Sequence, residues 1–371
     1  MIPLFKVAMS PDVLQPVSDV LMSGYVGQGP KVDEFEKLLR DHFSVPYVNT
    51  MNSATSALYL AVRLLKTHHE ADEILTTPLT CTATNWPILA NNVNLRWVDV
   101  DPETCNLDLD DLERKLSRHT IGVMVVHWGG YPVDLDRLKS IQKKFKDMYG
   151  FQFRIIEDCA HAWGSKYKGK LVGTHGHLSC FSFQAIKHFT TVDGGCLICP
   201  HESDYRKTKL LRWYGIDREQ PTKDFRCEAD IPDAGGKYNM NDVNATIGLM
   251  NYKNSLEVVK KHQANAAFYN EQLKNVPGVT LLKNEEGYES SYWIYTMRVK
   301  RRDDFMEKMK EAKIMVSRVH ERNDKHSCVG KYRCFLPSLD KLSKDMICIP
   351  VGWWVTEEER DHIVKTIKGG W

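Results

Sequence analysis

Between residues 45 and 156, short apolar runs alternate with amphipathic stretches of helical length, and this alternation limits the possible folds more than any other feature. The runs are Val45-Pro46-Tyr47-Val48-Asn49-Thr50, Leu95-Arg96-Trp97-Val98-Asp99-Val100, Ile121-Gly122-Val123-Met124-Val125-Val126 and Phe151-Gln152-Phe153-Arg154-Ile155-Ile156. Helical periodicity follows the first over 55–66 and the second over 108–116. Strands separated by helices of that length predict a mostly parallel sheet with helices on both faces. Such a sheet binds ligands beyond the carboxyl ends of its strands, so the chemistry is expected just after each apolar run.

A chain of 371 residues has room for a large α/β domain and a smaller partner. A glycine-rich opening, Ser23-Gly24-Tyr25-Val26-Gly27-Gln28-Gly29-Pro30, leads into a helix over 32–43. The texture changes near residue 240. A long helix over 241–274, a strand over 291–299, a helix over 302–311, the run Met346-Ile347-Cys348-Ile349 and a last helix over 357–368 predict a smaller C-terminal α+β domain. The boundary is placed inside the long helix, giving a large domain 1–251 and a small domain 252–371.

Lys plus Arg number 50 against 48 Asp plus Glu, so no basic stripe predicts nucleic-acid binding. No apolar window is long enough to span a bilayer, and the start lacks the pattern of a secretory signal, which together predict a cytoplasmic protein. Ten scattered cysteines read as reduced thiols. The pair Cys196 and Cys199 has metal spacing but no second pair, and His175 with His177 lacks a third ligand, so no metal is expected.

Four clusters carry candidate chemistry. Asn52-Ser53-Ala54-Thr55-Ser56 joins a strand to a helix, where small residues and free N–H groups suit a phosphate, although an ordinary N-cap reads the same way. Glu157-Asp158-Cys159-Ala160-His161 closes a strand. Pyridoxal 5′-phosphate (PLP) needs an anion at its pyridine nitrogen, and Asp158 is the choice over Glu157, with His161 either reaching the ring substituents or capping the loop. Lys187 stands beyond the strand that starts at Ser179 and before Asp193-Gly194-Gly195. A lysine held there can bind the cofactor aldehyde and shuttle a proton, and Ser182 can add a hydroxyl to the phosphate. The fourth cluster, Gly235-Gly236-Lys237-Tyr238-Asn239-Met240-Asn241-Asp242, precedes the long helix, where capping alone would explain it.

In order along the chain, these residues resemble the DegT/DnrJ/EryC1/StrS family of PLP-dependent nucleotide-sugar aminotransferases. The resemblance runs through Gly27-Gln28-Gly29-Pro30, Asp99-Val100-Asp101-Pro102-Glu103-Thr104, Val126-His127-Trp128-Gly129-Gly130, Glu157-Asp158-Cys159-Ala160-His161, Cys180-Phe181-Ser182-Phe183 with Lys187, Asp193-Gly194-Gly195 and Leu211-Arg212 with Gly215. It implies a fold type I aminotransferase, a homodimer with active sites at the subunit interface, and L-glutamate as donor. The implied acceptor is a nucleotide-linked keto sugar, with a 4-keto-6-deoxyhexose as first choice and a 3-keto hexose, keto heptose or eight-carbon keto sugar acid as alternatives. Lys187 becomes the Schiff-base lysine and Asp158 the partner of the pyridine nitrogen. His161 stands where the family often has Gln, while Ala54, Thr55 and Ser182 take phosphate positions. The loop 236–241, with Lys237, would reach the neighbouring subunit's site.

Three departures stand out. Cys81 follows Thr80 where the family commonly has an aromatic on the cofactor ring. Lys237 falls in a loop that commonly reads Gly-Tyr-Asn-Tyr-Arg, and Gln184-Ala185-Ile186 precedes Lys187 in place of Tyr-Pro-Thr. For the substrate, Arg212, Trp213, Tyr214, Arg318 and His320 offer cations and ring walls, although Arg318 and Arg322 also fit an ordinary polar face. Trp353 and Trp354 suit either the site entrance or the small-domain core. A dehydratase of the same family would carry histidine in place of Lys187, and a non-catalytic dimer that kept the fold would have lost Lys187, Asp158 or the phosphate cup.

Overall fold

The computed structural model describes residues 1–66, 72–220 and 230–371. Its main sheet has seven strands in the spatial order Val48–Met51, Gly195–Ile198, Leu178–Ser182, Arg154–Asp158, Thr120–Val126, Glu73–Thr76 and Asn94–Trp97. All pairings are parallel except the two made by Gly195–Ile198. Alternate side chains divide the sheet between two cores, as the strand period of two requires. Ile74, Met124 and Ile156 pack with the helix Ala54–Leu65, whereas Leu75, Val123, Val125 and Ile155 pack with the helix Leu135–Tyr149.

Strand boundaries differ from the apolar runs for identifiable reasons. Val45 donates its N–H to Arg40 at the end of the helix Pro30–Phe43, so pairing starts only at Val48. Phe151 and Phe153 pack edge-on against Phe145 of the preceding helix, and the strand begins at Arg154. That strand continues to Asp158, which pairs with Val126 and Cys180. The expected 151–156 run is thereby moved toward the carboxyl edge, where the acids lie.

The smaller domain is built on three antiparallel strands, Val279–Leu281, Tyr295–Val299 and Met346–Ile349. Helices Arg302–Glu311 and Glu357–Lys368 cover it, the latter opened by a capping box between Thr356 and Glu359. The helix Asp242–Leu273 serves both cores, with Ala245 and Leu249 in the large domain and Ala266, Tyr269 and Leu273 in the small one. Two contacts cross residue 251. Ile2 exchanges backbone hydrogen bonds with Lys313 and Met315 and packs in the small-domain core. Tyr288–Glu289 pairs with Lys166–Tyr167 of the large domain.

Trp354 donates its indole N–H to Pro3 at 2.9 Å, and Lys6 lies 5.4 Å from the Trp353 ring. Both tryptophans therefore fasten the N-terminal segment to the small domain. Cys196 and Cys199 are buried free thiols, and no helix among the described residues is long and apolar enough to cross a membrane.

Candidate active site

Consecutive residues of a strand face opposite sides of its sheet, so Glu157 and Asp158 serve different purposes. Glu157 is buried and accepts from His127 Nε2 and His177 Nδ1, each at 2.9 Å, and from the Ser179 hydroxyl at 3.2 Å. Val133 N–H donates to His127 Nδ1 at 3.1 Å, which leaves the imidazole hydrogen on Nε2 for Glu157. Burial pushes the Glu157 carboxyl up, but the two histidine hydrogen bonds outweigh it and hold the group below the usual range. Cys159 lies near His127 and Glu157, yet both ring nitrogens of His127 are already engaged, so this group is a support for the strand end.

Replacing Glu157 with Gln would turn an amide donor toward one histidine donor. A loss of about 3 kcal/mol is expected, as for other broken buried pairs. Because the folded-state pKa is depressed, the wild-type carboxylate stabilises the protein above pH 4.5, and this contribution falls away as pH drops further. Melting temperature against pH should therefore show a flatter acid limb for E157Q than for wild type.

Asp158 faces the other side and is only 4% exposed. Its carboxylate accepts from the Thr84 hydroxyl at 2.7 Å and from Ala160 N–H at 3.0 Å, with Thr80 bonded in turn to Thr84 at 2.7 Å. Burial raises its pKa above the usual value despite these bonds and the nearby Lys187 charge. A cation placed against it would restore full ionisation.

Lys187 sits in a loop closed at its base, where Phe183 N–H donates to Gly194 and Thr191 N–H donates to Phe183, both at 2.9 Å. Burial pushes its ammonium down to about 8, while Asp158 and Cys81 oppose that shift. An amine with this pKa has a neutral fraction near physiological pH, as a nucleophile or proton carrier requires.

Above Lys187 lies a group of rings, of which Trp293 escaped the sequence reading. Its ring centroid is 3.5 Å from Lys187 Nζ and 3.9 Å from the stacked His161 ring. His161 accepts from Gly129 N–H at Nδ1, and burial holds its pKa far below the usual value. His320 lies parallel to His161 with centroids 5.9 Å apart, and burial pushes it down to about 4. Its Nε2 is buried without a hydrogen-bond partner among the described residues, so the small-domain candidate His320 does reach this site. The signal for Trp293 is the pair Ser290-Ser291 ahead of Tyr292-Trp293, which interrupts the expected strand.

The third element is an anion corner. Ser53 caps the helix Ala54–Leu65 by accepting from Ser56 N–H, and the first-turn N–H groups of Ala54 and Thr55 have no intrahelical acceptor. Gly195 allows its strand to approach, since a Cβ there would lie 2.5 Å from Ala54 N. Ser182 pairs in register with Gly195, which brings its hydroxyl to the same corner. Cys81 precedes the helix Thr82–Ala90 as its N-cap residue, and that helix carries Thr84 to Asp158.

Other candidates lie elsewhere. Arg212 is corrected from a substrate ligand to a core ion pair: it is 1% exposed and bound to Glu36 and to the Thr50 carbonyl. Accordingly, Arg212→Met is expected to lower the melting temperature through the loss of about 3–5 kcal/mol. The surviving folded enzyme should keep its substrate KM, which steady-state kinetics would check. Trp213 lies under Lys237 and Arg218, with centroid distances of 4.2 and 4.7 Å, and Tyr214 is exposed at a positive φ of 59°. The Lys237 loop is held to its own chain by Asn52 N–H donating to Tyr238 at 2.7 Å. Arg318 pairs with Glu321 at 3.1 Å, whereas Arg322 is buried and taken by Asp324 and Asp340, which departs from an ordinary polar face.

A buried free amine, a buried acid that wants a cation and an anion corner together fit an aldehyde cofactor with a phosphate tail. The sequence profile of the DegT/DnrJ/EryC1/StrS aminotransferase family matches residues 8–368. The chain belongs to this family. Among solved structures it is similar to AtS13 from Actinomadura melliaura, with 49% identity, coverage of 100% and 99% of the two chains and a TM-score of 0.97. The sugar aminotransferase CalS13 from Micromonospora echinospora matches at 43% identity with both chains fully covered and a TM-score of 0.97. A curated relative, the UDP-4-amino-4,6-dideoxy-N-acetyl-beta-L-altrosamine transaminase of Campylobacter jejuni subsp. jejuni serotype O:23/36 (strain 81-176), is 32% identical over 282 residues, covering 75% of this chain and 70% of its own. As a DegT-family member the protein is a PLP-dependent sugar aminotransferase, and its fold is the one expected from that resemblance.

Proposed function

We propose that this enzyme transfers the amino group of L-glutamate to a nucleotide-linked 4-keto-6-deoxyhexose, giving an amino sugar and 2-oxoglutarate in the cytoplasm. Lys187 is its cofactor lysine and proton carrier. The observation that carries this reading is that buried Lys187 and buried Asp158 feel each other's charge without contact, beside the anion corner. Bound PLP supplies the electron sink that stabilises negative charge at the carbon exchanging its nitrogen.

Asp158 would hold a protonated pyridine nitrogen, whose charge would offset the burial that raises the carboxyl pKa. Ala54, Thr55 and Ser182 would receive the phosphate through N–H and hydroxyl donors. His161 keeps Nδ1 for Gly129, which leaves Nε2–H to donate to an oxygen on the ring. Lys187 Nζ, with its lowered pKa, would take the proton from the amine-bearing carbon, hold it, and give it back on the face where the lysine stands. The buried, neutral His161 and His320 exclude water and add no competing charge.

Support for an amine at carbon 4 comes from the Campylobacter relative, whose name is that of a 4-amino-4,6-dideoxy sugar transaminase. A homodimer is supported by exposed Leu21, Met22 and Tyr25 near the N-terminus, with Met22 84% and Tyr25 80% accessible in the single chain. Exposed Lys237 is then available to a neighbouring site.

Mass spectrometry of glutamate-dependent amination across nucleotide-linked 3-keto and 4-keto hexoses, keto heptoses and eight-carbon keto sugar acids tests the assignment. The expected result is preferential amination of a 4-keto-6-deoxyhexose. Preference for any other class, or no nitrogen from glutamate, would overturn the corresponding part.

A further inference from the structure

We propose that Trp293 is a positioning residue for Lys187, holding its ε-ammonium over the indole face whenever the lysine is free of the cofactor. The inference rests on the assignment of Lys187 as cofactor lysine. During turnover such a lysine must leave the cofactor, wait nearby as an amine or ammonium, and return. A freed four-carbon chain has many rotamers, so something must restrict it.

The structure shows what does so. Lys187 Nζ lies 3.5 Å from the Trp293 centroid, and among the described residues no carboxylate lies within ion-pair distance of it. An indole face attracts a cation without the fixed charge that would raise the lysine pKa as strongly as a contacting acid does. The arrangement therefore keeps the amine close while leaving it able to release its proton.

The indole is itself firmly fixed. Its Nε1–H donates to the Ile186 carbonyl, next to Lys187, at 2.9 Å. The ring stacks with Phe5, at 4.9 Å, and with His161, at 3.9 Å. Its backbone N–H donates to Gly129 at 2.9 Å. The preceding residues are anchored by Ser165 to Ser291, by His262 to the Tyr292 carbonyl and by Gln263 to the Ser290 carbonyl. Tyr292 adopts a positive φ of 50°, a strained conformation that turns the chain just before the indole. Stretches around residues 5, 129, 161–165, 186 and 262–263 thus converge to set one ring over one amine.

The test is the pH midpoint of Lys187 acylation, followed by competitive labelling with acetic anhydride and peptide mass mapping. It uses full-length protein loaded with the amine form of the cofactor, pyridoxamine 5′-phosphate, in which the lysine is free. The titratable groups facing Nζ are Asp158, Cys81, His161, His188 and His320, and all remain in Trp293→Met and Trp293→Phe. Methionine keeps apolar volume but removes the ring face, and the midpoint is expected to fall by about one pH unit. Phenylalanine should give an intermediate midpoint, and it decides the question if the methionine variant does not fold.

An unchanged or raised midpoint in the folded variants would overturn the proposal, since loss of packing alone admits water and favours the ammonium. Borohydride reduction of PLP-loaded wild type separates the two ideas. Cofactor fixed on Lys187 with an unmoved midpoint sinks only the role of Trp293, whereas cofactor fixed elsewhere sinks the assignment beneath it.

Discussion

Lys187→Ala is expected to lower amino-group transfer by about 10⁴-fold, the upper range for loss of a proton-transfer group, with the fold intact. The loop that carries Lys187 is closed by backbone hydrogen bonds from Phe183 and Thr191, which an alanine leaves in place. Its ammonium lies over the Trp293 ring and its burial is itself costly, so removing it should not destabilise the domain. Single-turnover assays beside thermal melts would check both halves. Full turnover in the variant would show that another group moves the proton.

The second large effect is expected at Asp158. In Asp158→Asn the amide oxygen can still accept from Thr84 or Ala160, so local geometry survives, but the negative charge does not. PLP should stay bound through the anion corner, while the rate falls by about 10²–10³-fold because the pyridine nitrogen loses its counter-charge. Cofactor content measured alongside kcat distinguishes this outcome from simple loss of PLP. An unchanged rate would assign the role to a different acid. Glu157 is a poor substitute, since His127 and His177 already occupy it.

Asp158 and Lys187 can be singled out in the sequence because one ends a strand and the other follows a strand by a few residues, at the edge where an open α/β sheet collects its ligands. The choice between Glu157 and Asp158 could be made in advance, but its physical basis is visible only in three dimensions. Strand alternation sends one acid to the histidines and the other toward the lysine. The final helix was legible to the residue because Thr356 and Glu359 form a local signal.

Arg212 shows the opposite case. An arginine after the catalytic segment has the chemistry to bind a diphosphate, and nothing local reveals that Glu36, 176 residues away, neutralises it in the core. Trp293 was hidden for a similar reason. Its neighbours Lys187, His161 and Phe5 come from distant parts of the chain, and the positive φ at Tyr292 breaks a segment whose composition reads as strand. His320 was found because its segment offered the right side chains, although its lack of a hydrogen-bond partner emerges only from packing. The N-terminal residues were assigned to the large domain by sequence continuity, whereas Ile2 pairs beside Ile314 through a contact that no local pattern encodes.

The central claim is that one lysine, Lys187, holds the cofactor in this sugar aminotransferase. Borohydride reduction of the PLP-loaded full-length protein, followed by proteolysis and peptide mass mapping, tests it most directly. The account predicts that the added cofactor mass is fixed on the peptide bearing Lys187 and is absent from that position in Lys187→Ala. Cofactor fixed on a different lysine of the wild-type chain, or a loaded protein in which no lysine is modified, would contradict it.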